Sequence, residues 1–291
     1  MSTLAEITDA LVAQLVADVD ETTGTWSPCW RRFTSLPSNA LTGNPYQGGN
    51  TIALWAAQVG HGYERPLWAT YRQWAELGGQ VTKGERSTRC VKWVVKETDD
   101  PKKPKLLPSV FHLFNVAQQQ GWEPPVVEPL VHDDVVAAAL AHLRAVPYTS
   151  IVGEPAYAPG ADVVMMPPDE AFTSSEALCA ILAHELAHWT GHPSRLHRDM
   201  SGRFGSDAYA GEELVAEISS CITAATLGVD PGPLRQDHAI YLQHWLRVLK
   251  ADSSLLFTAA AAAQKATEHL LAYSATAFDT VSPPTLEPSL V

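Results

Sequence analysis

The chain reads as an α+β protein in two parts, a mixed α/β N-terminal part followed by a mainly helical one. Three observations lead there. β-Branched and aromatic residues concentrate at 89–97 and 109–117, which read as strands. From residue 133 onward, apolar residues recur at helical spacing in long, Ala-rich segments. Between the two lies 122–129, with Pro124, Pro125 and Pro129, which reads as a linker. A length of 291 residues suffices for two domains with their own cores. The expected division is 1–122, a linker at 123–129, 130–275, and a flexible tail at 276–291.

The elements follow in order. Residues 3–21 form the first expected helix, with Leu4, Ile7, Leu11, Leu15 and Val19 on one face. Residues 22–50 are rich in Gly, Pro, Ser and Asn and read as irregular. Short helices are expected at 51–59 and 70–77, and the polar, Lys- and Pro-bearing 99–108 as the tip of a hairpin. Beyond the linker come a helix at 133–146, two short strands within 150–167, and helices at 174–191, 207–227, 236–250 and 254–273.

Composition narrows the class. Charged residues make up 18% of the chain and hydrophobic ones 46%, which fits a globular fold rather than a disordered one. No run of 18 apolar residues is present, so no membrane span is expected. The first residues lack the basic and apolar regions of a secretory signal. Cys29, Cys90, Cys179 and Cys221 stand far apart, which argues against a disulfide framework and for a reducing cytoplasm. The net charge of −12 is uneven: residues 22–122 hold 12 basic and 6 acidic side chains. A basic segment inside an acidic chain points to an anionic partner.

The sharpest motif is His184-Glu185-Leu186-Ala187-His188. Thr173-Ser174-Ser175-Glu176 matches a capping box and sets the start of its helix. At about 100° per residue, Glu185 falls within about 20° of Leu178, inside the apolar stripe. His184 and His188 fall on the flank of that stripe, one turn apart. A carboxylate in an apolar face is costly without a partner, and a metal site supplies one. Two imidazoles at i and i+4 reach one ion, and the adjacent Glu185 takes a proton from water that the ion activates. One Zn2+ is expected, with Mn2+ or another divalent ion as the alternative.

A third ligand is required. A third histidine six residues after His188 is excluded, because that position is Ser194. On the next helix Glu213 and Glu217 flank the apolar stripe one turn apart, while Glu212 points away from it. Glu213 is assigned as the third ligand and Glu217 as the group that orients a histidine, with the reverse order as the alternative. His192 and Tyr209 are candidates for the edge of the site.

The N-terminal part interleaves aromatic and cationic residues between 26 and 93. Rings that stack on bases, set between cations that pair with phosphates, suit a single-stranded nucleic acid. The candidates are Trp30, Arg31, Tyr46, Arg72, Trp74, Lys83, Arg86 and Arg89. Residues 78–87 lack the spacing of a nucleotide-phosphate loop.

Several segments resemble the ArdC-type antirestriction proteins, whose N-terminal domain is shared with TraC-type primases. They include Asn44-Pro45-Tyr46-Gln47-Gly48-Gly49-Asn50, Trp68-Ala69-Thr70-Tyr71-Arg72-Gln73-Trp74, and Val110-Phe111-His112-Leu113-Phe114-Asn115-Val116. In the second part they include the His184–His188 motif with Trp189-Thr190-Gly191-His192, and Glu212-Glu213-Leu214-Val215-Ala216-Glu217-Ile218. The resemblance implies a single-stranded-DNA-binding domain followed by a zincin-like metallopeptidase domain. It also implies protection of incoming plasmid or phage DNA from host restriction. A protein or peptide substrate is then expected, and no membrane partner. The alternatives are a DNA-binding shield with a structural, non-proteolytic zinc site, and a cytoplasmic metalloprotease that does not bind DNA.

Overall fold

A computed structural model describes residues 4–17, 28–96, 105–125, 131–200, 202, 206–232 and 239–280. The end of the first expected helix, most of the hairpin tip, residues 126–129 of the linker and the tail from 281 lie outside the described residues.

The N-terminal part runs α1 (Leu4–Ala17), a 3-10 turn (Cys29–Arg31), β1 (Ser38–Asn39), α2 (Gly49–His61), β2 (Leu67–Ala69), α3 (Tyr71–Glu76), β3 (Gln80–Val81), β4 (Thr88–Lys96), β5 (Lys105–Asn115) and β6 (Gln119–Gln120). One sheet has the order β1-β2-β5-β4, and β3 pairs with β6 in a second. β4 and β5 form the expected hairpin, in register from Thr88 opposite Leu113 to Lys96 opposite Lys105. α2 is longer than its expected 51–59 and is buried along most of its length. It begins after Gly48, which has φ of 58° and so takes a backbone form that favours glycine.

The C-terminal part runs α4 (His132–Leu143), β7 (Thr149–Ser150), β8 (Ala156–Ala158), β9 (Val163–Met166), α5 (Ser175–Thr190), α6 (Asp207–Leu227), α7 (Ala239–Ala251) and α8 (Ser254–Thr280). The strands form one small sheet, β7-β9-β8. α8 continues to Thr280, past the point at which a flexible tail was expected, because the Ala-rich helical pattern persists there. No helix among the described residues is long and apolar enough to cross a membrane.

α6 is the central element. Fourteen of its 21 residues are buried, and it packs against α5, α7 and α8. A helix covered on most sides is apolar around most of its circumference. The main core is shared between the two parts. Leu11, Leu15, Trp30, Ile52 and Trp55 pack with Leu214, Ile218, Ile222, Trp245, Leu249 and Leu256 in one cluster. A second cluster, with Leu143, Met166, Leu182, Leu186 and Trp189, lies wholly in the C-terminal part.

Leu256 is fully buried in the shared cluster. Its replacement by Ala is expected to cost about 2–5 kcal/mol. Tryptophan fluorescence, dominated by the N-terminal part, and far-UV circular dichroism, dominated by the helices, should then report one coincident denaturant transition at a lower midpoint. Two separated transitions would show that the parts fold independently.

Candidate metal centre

Local chemistry sets the two helices that carry the site. The Ser174 side chain caps α5 by accepting from the Ala177 N–H at 3.2 Å, so the N-cap is Ser174 rather than the Thr173 of the expected capping box, and Ala177 at the third helical position cannot reciprocate. Ser206 does the same for α6, accepting from the Tyr209 N–H at 3.2 Å. α5 then lies against α6 and brings His184 and His188 opposite Glu213.

His184 Nε2 lies 3.5 Å from Glu213 Oε2, and His188 Nε2 lies 3.5 Å from Glu213 Oε1. One donor atom from each of the three falls within 4.8 Å of the others, and all three residues are buried. Metal–ligand bonds of about 2.0–2.1 Å place the donors of a tetrahedral site about 3.3–3.4 Å apart. The spacing and the two-nitrogen, one-oxygen donor set therefore fit a divalent ion such as Zn2+. Among the described residues this is the one cluster of such donors. Glu185 is 5% exposed beside them, and its charge acts on His188.

The far side of each imidazole meets a carboxylate backed by an arginine. His188 Nδ1 lies 3.2 Å from Glu212 Oε1, and Glu212 accepts from Arg198 Nε at 2.9 Å and Nη2 at 2.7 Å. Arg198 also donates to the Ala187 carbonyl at 2.7 Å and to Thr190 Oγ1 at 2.9 Å, which ties the segment after α5 back onto the helix. His184 Nδ1 lies 4.0 Å from Glu217 Oε2. Glu217 accepts from both Nε and Nη2 of Arg31, the second at 2.7 Å. The structure groups Glu213 with the two histidines and sets Glu217 behind His184, against Arg31. Glu212 lies off the apolar stripe of α6, as expected, and there meets His188 and Arg198. The wheel of α6 considers only that helix's apolar stripe, whereas Arg198 approaches from another side.

Electrostatics follow from this arrangement. Burial alone would raise the Glu213 carboxyl, but hydrogen bonding and charge from His184 and His188 hold it well below the ordinary carboxylate range. Burial alone would lower His188, but Glu212 and Glu213 outweigh it and raise the imidazole to about 10.

The other expected residues are more dispersed. His192 bonds Ser194 at 2.8 Å and stands 3.6 Å from Asp162, outside the ligand cluster. It lines a cavity of about 560 Å³ with Pro159, Gly160, His197 and Met200. Tyr209 precedes Glu213 by one turn of α6. Three expected DNA contacts are corrected. Trp30 and Trp74 are fully buried, so neither ring offers a face to a base. Trp30 belongs to the shared core, and Trp74 packs on Trp122 and donates to the Phe114 carbonyl at 3.0 Å. Arg31 is buried with its guanidinium committed to Glu217 and to the carbonyls of Pro231 and Gly232. Tyr46 and Arg89 are half-buried, and Tyr46 accepts from Asn39 at 2.9 Å. Arg72, Lys83 and Arg86 are exposed. Trp93, absent from the expected contacts, is 58% exposed.

Two measurements check the centre. Replacing Glu213 by Ala should abolish Zn2+ binding by the purified protein, whereas Glu217→Ala should weaken it about 10- to 100-fold; loss of binding in Glu217→Ala with binding kept in Glu213→Ala would reverse the assignment. The raised His188 keeps its proton through neutral pH, so its ion pairs stabilise the metal-free fold fully below the ordinary histidine range. That contribution is lost as pH rises through about 10. A metal ligand must be neutral, so binding at pH 7 should release about one proton and weaken about tenfold for each unit of acidification. Calorimetry in buffers of different ionisation enthalpy reads this directly, and no proton release would contradict it.

The comparisons with known proteins span both parts. A family model for the N-terminal domain of the anti-restriction factor ArdC matches residues 5–123, and one for a zincin-like metallopeptidase matches 136–262. The uncharacterized protein y4eC of Sinorhizobium fredii is 34% identical over 279 residues, covering 90% of this chain and 91% of that protein. DNA primase TraC of Escherichia coli is 35% identical over 302 residues, 92% of this chain, and the chain spans 27% of the primase. The crystal structure of the Mn(II)-bound antirestriction protein ArdC from plasmid R388 superimposes with a TM-score of 0.77 at 36% identity, covering 94% of this chain and 99% of that one. Its metal-free form gives 0.76 at 35% identity, with 94% and 97% covered. With the fold, both halves and a divalent-metal donor set in agreement, the chain belongs to the ArdC antirestriction family and carries its N-terminal domain and a zincin-like domain.

Proposed function

We propose that the protein binds single-stranded DNA, protects incoming DNA from restriction in the cytoplasm, and hydrolyses a peptide bond at a Zn2+ site. The observation that carries the hydrolytic reading is Glu185, buried beside His184, His188 and Glu213, three residues that could hold a divalent ion; a catalytic ion with three protein ligands would keep a position for a reactant. A divalent ion held by His184, His188 and Glu213 supplies Lewis acidity to a carbonyl and makes a water molecule more acidic. Glu185 accepts the proton of that water as its oxygen bonds to the peptide carbon. It then delivers the proton to the departing amine as the C–N bond breaks. Glu212 and Glu217 hold the imidazoles in orientation throughout.

Glu185→Gln removes the base and keeps the side-chain volume. It should bind Zn2+ within about threefold of the parent protein and lose peptide cleavage by about 100-fold or more. Full cleavage by this variant would refute the mechanism. A variant that still protects DNA in a conjugation assay would favour the shield reading, in which the metal is structural.

The DNA reading rests on cations that remain exposed and on the arm formed by β4 and β5. These two strands carry Arg89, Lys92, Lys96 and Lys105 and no carboxylate. Beyond Val91 every residue of β4 is exposed, including Trp93 at 58% and Val95 at 65%. An open indole between lysines is a platform for base stacking with phosphates alongside. Trp93→Ala should weaken binding of a labelled oligothymidylate about tenfold and leave its salt dependence unchanged, as followed by fluorescence anisotropy. Lys92→Gln with Lys96→Gln should instead flatten the salt dependence. Salt-insensitive binding, or none, by the unaltered protein would remove DNA from its function.

A further inference from the structure

We infer that Arg31, from the N-terminal part, is a positioning residue of the metal centre, so that metal binding and the seating of the 3-10 turn on α6 stabilise each other. Arg31 and Glu217 are separated by 186 residues, and their side chains are 6% and 0% exposed. Nε and Nη2 of the guanidinium occupy the two carboxylate oxygens, one each. A two-pronged contact of this kind fixes the plane of the carboxylate as well as its place. The remaining Nη1 donates to the Pro231 carbonyl at 3.0 Å and to the Gly232 carbonyl at 3.2 Å, just beyond the end of α6. The guanidinium is thereby anchored both to α6, which carries Glu213 and Glu217, and to the segment that follows it. Glu217 Oε2, held by Nη2 at 2.7 Å, is the oxygen that faces His184 Nδ1 at 4.0 Å. A negative oxygen on that side favours the tautomer with its proton on Nδ1, which leaves the Nε2 lone pair toward Glu213.

The two imidazoles differ in where their support originates. His188 is braced by Glu212 and Arg198, and Arg198 follows α5 directly in the chain. His184 faces Glu217 across 4.0 Å, an electrostatic rather than hydrogen-bonded contact, and the cation of Glu217 comes from the turn at Cys29–Arg31 beside the fully buried Trp30. The zincin-like domain alone therefore lacks one member of its own ligand support. Because the coupling is a free energy shared by two events, it acts in both directions: a seated Arg31 raises metal affinity, and bound metal strengthens the seating.

The test uses the full chain with Arg31→Met, Arg31→Lys, Glu217→Gln and the Arg31→Met/Glu217→Gln double variant. Zn2+ affinity is measured by competition with a chromogenic chelator, Co2+ absorption reports the coordination geometry, and thermal unfolding without metal reports the fold. Arg31→Met is expected to weaken Zn2+ about 10- to 100-fold and to alter the Co2+ spectrum. Arg31→Lys, which keeps the charge and loses the fork, should fall between it and the parent. The double variant should bind no more weakly than Glu217→Gln alone, since both act through one carboxylate. Wild-type Zn2+ affinity in Arg31→Met, whatever its melting temperature, overturns the inference, as does additivity in the double variant. Should Arg31→Met fail to fold, Arg31→Lys decides: a loss below about threefold with an unchanged Co2+ spectrum overturns it.

Discussion

Four carboxylates, of Glu185, Glu212, Glu213 and Glu217, share the seam between α5 and α6 with two imidazoles, almost wholly out of solvent. An unpaired buried carboxylate costs several kcal/mol, so such a concentration requires matching positive charge. Arg31 and Arg198 supply two units of it. A divalent cation on His184, His188 and Glu213 supplies the other two with both imidazoles neutral, which is the state in which imidazole binds metal. A monovalent ion would leave the seam negative, and a trivalent one would leave it positive. Without an ion, a proton on His188 offsets part of the negative charge, and Glu212 and Glu213 hold it there well above the ordinary histidine range. The charge balance thus selects a class of ion, fixes where the arginines must come from, and requires the two helices to pack closely.

What could be read in the sequence was what is local. The spacing of His184 and His188 lies within two turns of one helix, and Glu185 stands out because a carboxylate interrupts an apolar stripe. Glu213 and Glu217 could be placed on α6 because helical geometry relates them to the buried face. The partners of Glu212 could not be read because one helix's stripe says nothing about the segment that crosses its other side, here the loop bearing Arg198. Arg31 was misread for a similar reason. Composition sees a cation near tryptophans, whereas burial of Trp30 carries Arg31 inward to a partner 186 residues away. The helices and the long hairpin followed from periodicity, but the short strands β1 and β2 did not. Strands of two or three residues carry no alternation to detect; β2 forms by pairing with β5, and β1 by pairing with β2.

The shared core explains the extent of the similarity. If α2 and the 3-10 turn complete the surface of α6 and α8, neither part presents a finished apolar face without the other. A break at the linker would expose Trp30, Ile52, Leu214 and Ile218 together. The related sequence in TraC accordingly spans 92% of this chain, both parts included, within a primase nearly four times as long. Two family models describe the chain, but packing joins the segments they match.

The cations of the N-terminal part divide by burial, and the division separates two kinds of work. A buried guanidinium must be neutralised within the protein, so Arg31 is spent on Glu217 and has nothing to offer a polyanion. Lys92 and Lys96 on the arm face no carboxylate within their strand or its partner and keep their charge available to one. The same logic sorts the tryptophans. Trp30 and Trp74 stabilise by leaving water, whereas the exposed Trp93 has no fold-stabilising burial to account for it. Electrostatics therefore place the rigid, charge-compensated chemistry in the α5–α6 seam and leave on the described strands of the arm an aromatic, lysine-bearing surface without a carboxylate. The two are joined through the core that seats Arg31.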